Sequence, residues 1–330
     1  MTAAGGQSEA TDLLVHRLLD GDRQALARAI TLVENCLDGA PEILSSLSHH
    51  AGHAATIGVT GPPGAGKSTL IAALIAELRQ RQRTVSVLAV DPSSPHSGGA
   101  LLGDRVRMNS HSCDPGVFVR SIAARGHLGG LFQTARGVVQ LLDAAGPDFI
   151  IIETVGTGQS EIEIADLAQL NLVVCVPGLG DEVQALKAGI LEIADILVVN
   201  KSDHAQAAIT VQQLQDMLHW RSPQHKPAIV LATVATSGQG VAALADQLEA
   251  FQAEAPNRLT PPARSQQRQL SAITESAVAQ LRQRIVAAAP LVEELCARVQ
   301  SGQLGVDAAA GELLHQLGHH HPRTHKQNNS

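Results

Sequence analysis

The sequence has no tyrosine and a single tryptophan among 330 residues, and aromatic residues make up only 2% of the chain. Because hydrophobic residues still amount to 44%, the core must consist mainly of aliphatic side chains. The four cysteines, Cys36, Cys113, Cys175 and Cys296, lie far apart and form no C-x-x-C motif. This pattern is typical of a reduced compartment such as the cytoplasm, and it argues against a disulfide framework.

Long apolar runs and an excess of positive charge are also missing. No run approaches the ~20 residues of a membrane span, and the N-terminus lacks the charged start and apolar stretch of a signal peptide. The 24 Lys and Arg are outnumbered by 31 Asp and Glu, which gives a net charge of −7. We therefore expect a cytoplasmic protein with neither a membrane nor a nucleic acid as its main partner.

Hydrophobic periodicity divides the chain into four segments. We expect an N-terminal helical segment at 1–53, with 1–10 disordered, and a strand–helix alternation at 54–255. A proline cluster follows, then a helical extension at 256–317 in which Pro290 separates two helices, and a disordered, histidine-containing tail at 318–330. The alternation predicts an α/β fold with a mostly parallel, doubly wound sheet. Its candidate strands are 55–60, 84–90, 117–120, 148–153, 171–176, 195–199 and 228–232.

Residues 61–69 read G-P-P-G-A-G-K-S-T and fit the P-loop pattern G-x-x-x-x-G-K-S/T between an apolar strand and a helical run. Glycines let consecutive N–H groups point to one centre, where the helix N-terminus adds partial positive charge. Lys67 can reach the outer phosphates, and the Ser68 hydroxyl can bind magnesium. The alternative is a glycine-rich turn that matches by chance, which the flanking strand and helix disfavour. The predicted phosphate contacts are Gly61, Pro62, Pro63, Gly64, Ala65, Gly66, Lys67, Ser68 and Thr69.

A second motif, N-K-S-D at 200–203, follows the apolar strand 195–199. The Asp203 carboxylate can accept hydrogen bonds from N1–H and the exocyclic amine of guanine together, a donor pair that adenine lacks. Asn200 and Lys201 would support this loop, with the lysine stem covering the base. A polar turn after a strand would look similar, but its position after a P-loop favours a guanine site.

Three carboxylates could serve the phosphates and their metal. Glu153 ends an apolar strand and precedes Gly156, which places the carboxylate near magnesium and the Gly156 N–H near the γ-phosphate. Asp91 ends the strand 84–90, and Asp104 lies in the loop beyond it; both could face the metal or orient the attacking water. The alternatives are a helix N-cap for Asp91 and a solvated loop acid for Asp104. The predicted magnesium ligands are Ser68, Asp91, Asp104 and Glu153.

With these motifs the chain closely resembles the GTPases associated with methylmalonyl-CoA mutase, the MeaB/ArgK type. The resemblance covers roughly residues 20–250 in order, and the runs at 153–161 and 177–190 are its most specific parts. The other matching stretches are 27–35, 61–69, 90–95, 98–108, 118–120, 125–130 and 193–195. The family usually has Val where this chain has Thr157. The family's last guanine loop is expected near 233–240, and Ser is common there at the position of Val234. In that loop, therefore, only the Ala235 backbone is suggested as a base contact.

The resemblance implies a P-loop GTPase that binds GTP or GDP with Mg²⁺ and forms a homodimer, with the C-terminal helical extension as the expected contact. It implies a G-protein chaperone that gates cofactor loading from an adenosyltransferase and protects an adenosylcobalamin-dependent acyl-CoA mutase. The client could isomerise methylmalonyl-CoA, isobutyryl-CoA or 2-hydroxyisobutyryl-CoA. The run 177–190 would signal to the mutase through Asp181, Gln184 and Lys187, and Lys187 is a candidate to stabilise charge on the transferring phosphoryl group.

Two rival interpretations remain open. A nickel-insertion metallochaperone GTPase would need a Cys/His metal site on the nucleotide domain, which the sequence does not show. A protein kinase of a transport system, an older description of this family, would need a kinase catalytic loop, which is absent. Arg120 and Arg125 could bind a partner or phosphate, or form surface salt bridges.

Overall fold

A computed structural model describes residues 3–50, 53–91, 113–123, 130–154, 167–178, 193–219, 228–254 and 284–319, with a few positions between 270 and 281. The chain divides into two compact units, Met1–Leu259 and Thr260–Ser330. No helix in the described part is both long and apolar enough to cross a membrane.

The first unit is built on a seven-stranded sheet in the order β3-β2-β4-β1-β5-β6-β7, and every neighbouring pair is parallel. The predicted α/β fold with a parallel sheet is thereby confirmed, and each predicted strand starts within one residue of an observed one. The strands are β1 (Ala55–Thr60), β2 (Val85–Asp91), β3 (Val117–Ala123), β4 (Phe149–Thr154), β5 (Leu170–Cys175), β6 (Ile196–Val199) and β7 (Ile229–Ala232).

Helices cover both faces of the sheet, which explains why the central strands are apolar without alternation. Side chains of β4 alternate between two cores: Phe149 and Ile151 enter one, Ile150 and Ile152 the other. Helices α4 (Lys67–Gln80) and α7 (Val241–Glu254) line the first core, and α5 (Gly130–Ala144) lines the second. Helix α6 (Ala207–His219) packs Leu214 against β5 and β6.

Three N-terminal helices belong to the second core of the same unit. They are α1 (Ala3–Leu19), α2 (Arg23–Glu34) and α3 (Ala40–Ser46). The expectation of disorder over residues 1–10 is wrong from Ala3 onward, because α1 begins there. Extending a helix costs little once its nucleus exists, so the polar first turns continue the packed part of α1 around Leu14 and Leu18.

Hydrogen bonds join the residues that precede β2 and β4. Thr84 donates to the Asp148 carboxylate through its N–H and its hydroxyl, both at 2.7 Å. Burial by itself would raise the pKa of Asp148, but these hydrogen bonds and the nearby charge of Arg83 outweigh it and lower that pKa.

In the second unit, helices α8 (Ala289–Gln300) and α9 (Val306–His319) pack together, and Arg298 bonds Glu312 at 2.9 Å. Pro290 lies in the first turn of α8, where its missing N–H costs no helical hydrogen bond. Helix α9 includes Gly318 and His319, which were expected in the disordered tail, and the rest of that tail lies outside the described residues.

Candidate nucleotide-binding site

The predicted nucleotide motifs meet at the carboxyl edge of the parallel sheet. Gly61 follows β1, Glu153 lies near the end of β4, Asn200 follows β6 and Thr233 follows β7. Strand β1 lies between β4 and β5, so the P-loop leaves the middle of the sheet. Ligands of open α/β sheets bind in the crevice at this edge, and the fold therefore brings both motifs to one place.

The P-loop requires glycine for two reasons that the structure makes explicit. Gly61, Gly64 and Gly66 all have positive φ angles, of 142°, 76° and 86°. A Cβ atom on Gly61 would lie 2.2 Å from the Val174 carbonyl oxygen, and one on Gly66 would lie 2.6 Å from Asn200 Nδ2. Both the turn and the close approach to neighbouring elements exclude larger residues.

The start of α4 offers backbone donors and an ammonium group to an anion. Its N-cap is Gly66, which has no side chain to accept from the first-turn N–H groups. The Lys67 ammonium donates to the carbonyl oxygens of Gly61 at 2.7 Å and Pro62 at 3.2 Å, and the residue is 8% exposed. Lysine, amides and helix dipole together form an electropositive cradle around residues 61–69.

Ser68 and Glu153 lie side by side beneath this cradle. The Ser68 hydroxyl donates to Glu153 Oε1 at 2.6 Å, and Glu153 is 3% exposed. Glu153 of β4 pairs with Val59 near the end of β1, and this register places Glu153 beside the start of the P-loop. A hydroxyl and a carboxylate are oxygen donors of the kind that Mg²⁺ prefers.

Asn200 joins three loops and is 2% exposed. Its Nδ2 donates to the Ala65 carbonyl oxygen at 2.9 Å, which ties the N-K-S-D loop to the P-loop. Its Oδ1 accepts from the Ala235 N–H at 3.1 Å and from the Thr233 hydroxyl at 3.3 Å. Sequence reasoning gave Thr233 no role; a threonine directly after the last apolar strand of the series is the signal that could have found it.

Lys201 and Asp203 complete the guanine motif on the open side of the loop. Lys201 has a φ of 55°, in the left-handed region, and its Nζ donates to the Gly64 carbonyl oxygen at 3.0 Å. The Asp203 side chain is exposed, and no described residue donates a hydrogen bond to its carboxylate. The two carboxylate oxygens of Asp203 can therefore accept hydrogen bonds from a ligand, and the loop that carries them is bonded to the P-loop through Lys201.

Of the six other predicted nucleotide-site and signalling residues, the structure describes one, Asp91, by its backbone. Asp91 is the last residue of β2, and the role expected of its carboxylate stays a prediction. Five more lie outside the described residues: Asp104, Gly156, Asp181, Gln184 and Lys187. Arg120 pairs with Glu34 at 2.8 Å, which is the salt-bridge alternative, whereas Arg125 is not described.

In the described part of the chain, which leaves out Asp104 and the Asp91 side chain, no three His, Cys, Asp or Glu residues group closely enough to hold a metal ion. The metallochaperone interpretation thus gains no site among those residues.

Comparison with a family model described as methylmalonyl Co-A mutase-associated GTPase MeaB gives a match over residues 26–290. The match spans the N-terminal helices from α2 onward, the whole sheet and the start of the second unit.

Individual proteins are also similar to this chain over most of its length. A putative GTPase of Pyrococcus horikoshii is 50% identical over 243 residues, which are 72% of this chain and 76% of that protein. The mouse protein described as methylmalonic aciduria type A homolog, mitochondrial, is 37% identical over 262 residues, 73% of this chain and 63% of that protein. A crystal structure of a LAO/AO transport system kinase aligns with a TM-score of 0.68 and 25% identity, over 94% of this chain and 98% of that one.

Proposed function

Because this chain belongs to the MeaB family of methylmalonyl-CoA mutase-associated GTPases and is itself a GTPase, we propose that it uses GTP hydrolysis to chaperone an adenosylcobalamin-dependent acyl-CoA mutase. In this role the protein gates cofactor loading, with an adenosyltransferase as a possible donor, and protects the mutase. The association of the family with methylmalonyl-CoA mutase supports this partner.

The observation that supports the guanine-nucleotide part of the proposal is the junction at Asn200. It holds the P-loop and the N-K-S-D loop at a fixed separation through the 2.9 Å bond to Ala65, while Asp203 stays exposed. We infer that Asp203 accepts from N1–H and the exocyclic amine of guanine. Adenine offers no such pair, so ATP would leave the Asp203 carboxylate without these two hydrogen bonds and would bind more weakly.

At the phosphate end, Lys67 would exchange the carbonyls of Gly61 and Pro62 for outer phosphate oxygens, while the first-turn amides of α4 hold the inner ones. The donors present fit the Mg²⁺ ion that such GTPases use, since Ser68 and Glu153 both offer oxygen atoms. When bound, the ion would neutralise charge on the phosphates. Asp91 and Asp104 are proposed as further ligands or as the groups that orient water.

For mutase signalling we propose Lys187, with Asp181 and Gln184, as the responsive group. A cation placed on the phosphoryl group only when the partner is bound can raise the rate about 10³-fold or more. Steady-state GTP turnover is measured with and without candidate mutases that act on methylmalonyl-CoA, isobutyryl-CoA or 2-hydroxyisobutyryl-CoA. Lys187→Ala is expected to keep basal turnover and lose the stimulated part.

Lys226→Ala is the control, because it removes a lysine to which no role is given. It should leave both the basal and the stimulated rates unchanged. If none of the mutases changed the rate of GTP turnover, the chaperone role would be refuted. If a mutase stimulated Lys187→Ala as much as the wild type, only the role of Lys187 would be refuted.

We also propose a homodimer formed through the second unit. The described positions there expose large apolar side chains that a monomer would leave in water: Leu270 (65%), Ile273 (67%), Val286 (77%) and Val306 (71%). In sedimentation, Val306→Asp should shift the full chain towards monomer, whereas Leu37→Asp, at a 48% exposed position of the first unit, should not. A wild type that sediments as a monomer at every concentration would refute the dimer.

A further inference from the structure

Arg81 connects the end of the P-loop helix to helix α7. It is the C-cap of α4, and its guanidinium donates to Asp246 at 2.6 Å, to Glu249 at 2.8 Å and to the Ala242 carbonyl oxygen at 3.2 Å. It also pairs with Glu77 within its own helix. The hydrogen bonds from Arg81 to Glu249 and Asp246 raise the pKa of the guanidinium. Asp246 and Glu249 lie 165 and 168 positions along the chain from Arg81.

Helix α7 directly follows the guanine loop, defined as residues 233–240. This loop contains Ala235, the proposed base contact, and it ends at Gly240, where a Cβ atom would lie 2.2 Å from the Ala232 carbonyl oxygen. On its other side lies β7, a four-residue strand at the edge of the sheet, whose one partner among the described strands is β6. Because an edge strand is held from one side, the position of the loop depends on α7 as well as on the contacts of Thr233 and Ala235 with Asn200.

Apolar packing alone does not fix that position along the helix axis. Leu244 and Leu248 of α7 pack in the same core as Leu74 and Leu78 of α4, but burial of apolar surface is non-directional. The planar fork of a guanidinium, by contrast, bonds several acceptors in a set geometry. Its contact with Ala242 lies in the first turn of α7, two residues beyond the loop.

We propose that Arg81 is a positioning residue for guanine recognition, which holds α7 and the attached guanine loop in register with the P-loop helix. Arg83 supports it by donating to Glu249 at 2.8 Å from the other side. The role rests on the proposed guanine site. It explains why an ion cluster at the end of α4, away from the phosphates, is built around acceptors on α7.

The test compares the dissociation constants of GDP and ADP for the wild type, Arg81→Gln and Arg81→Lys, with thermal unfolding of the nucleotide-free proteins measured alongside. Both variants lose the fork, so both should bind GDP about three- to tenfold more weakly. Binding of ADP, which uses the phosphate contacts, should change little. The preference for guanine therefore falls, an effect that a loss of stability alone would not produce.

Glu77→Gln is the matched control, because it removes an Arg81 partner on α4 and leaves the bonds to α7 in place. Glu77→Gln should retain the wild-type preference for GDP over ADP. Glu249→Gln, which weakens the bond from Arg81 to α7, should reduce that preference. It replaces Arg81→Gln in the test if Arg81→Gln does not fold. Lower unfolding temperatures with an unchanged GDP-to-ADP ratio would overturn the role of Arg81. A wild type without preference for GDP would instead refute the guanine site, and the proposal with it.

Discussion

Exchanging Asn200 for aspartate tests the junction between the P-loop and the guanine motif with the smallest change of shape. In the variant, one oxygen can still accept from the Ala235 N–H and the Thr233 hydroxyl. The Nδ2 donor, however, becomes an oxygen that faces the Ala65 carbonyl oxygen at the former hydrogen-bond distance of 2.9 Å. Since Asn200 is 2% exposed, water cannot easily relieve this repulsion.

The cost follows from these contacts. A buried acceptor left without its donor costs about 1–3 kcal/mol, and a buried charge beside a carbonyl adds to it. We expect the two loops to separate in the free variant, so that GDP binding must restore the unfavourable contact and loses about 3 kcal/mol, which is roughly a hundredfold in affinity. Burial raises the pKa of the introduced carboxyl, and its protonated form can donate to Ala65 again. Relative to the wild type, the variant should therefore regain affinity as the pH is lowered.

Calorimetric titration with GDP over a range of pH measures both effects. Thr233→Val is the comparison, because it removes only the 3.3 Å hydroxyl bond while Oδ1 keeps the Ala235 N–H. Its expected cost is about 1 kcal/mol. An Asn200→Asp protein that binds GDP as well as Thr233→Val does, or whose deficit is independent of pH, would refute the reasoning.

Three further predictions concern other parts of the chain. Gly66→Ala and Gly21→Ala both place alanine at a φ near 85°, but only the Cβ of Gly66→Ala also meets a neighbour, Asn200; Gly66→Ala should therefore destabilise more and abolish GDP binding in a titration, whereas Gly21→Ala should leave binding intact. Because the pKa of Asp148 is lowered, its contribution to stability is present above the ordinary carboxyl pKa near 4 and is lost as the pH falls below it. Asp148→Asn should therefore have a lower unfolding midpoint than the wild type at pH 7, and its midpoint should fall less on acidification. Equal falls in the two midpoints would contradict this. Burial raises the pKa of Cys175 to about 12, so a thiol reagent should modify it only on unfolding, and labelling of the native protein at Cys175 would contradict its burial.

Much of the fold could be predicted because its strands are buried on both faces. Runs such as 149–152 read as strands without alternation, and the structure buries all of β4. The P-loop and the N-K-S-D motif could be placed at strand ends for the same reason. Their convergence follows once the strands are parallel, since equivalent ends then share one edge.

Contacts between distant residues could not be predicted from local patterns. The order of the strands depends on which apolar faces fit together, and the bonds of Arg81 join positions 165 and 168 residues apart. Thr233 was missed because its role depends on an acceptor, Asn200, that sequence spacing does not reveal. The helix from Ala3 was missed because its first turns are polar and rich in glycine, and tertiary packing further along extends it.

The most direct test of the central claim exchanges the group that reads the base. Xanthine carries an oxygen where guanine carries the exocyclic amine, so Asp203→Asn would present a donor where the wild type presents an acceptor. Dissociation constants of GDP and XDP are measured for both proteins, and we predict that the wild type prefers GDP while Asp203→Asn prefers XDP. An unchanged preference in the variant would contradict the assignment of Asp203, and with it the guanine site on which the proposed function depends.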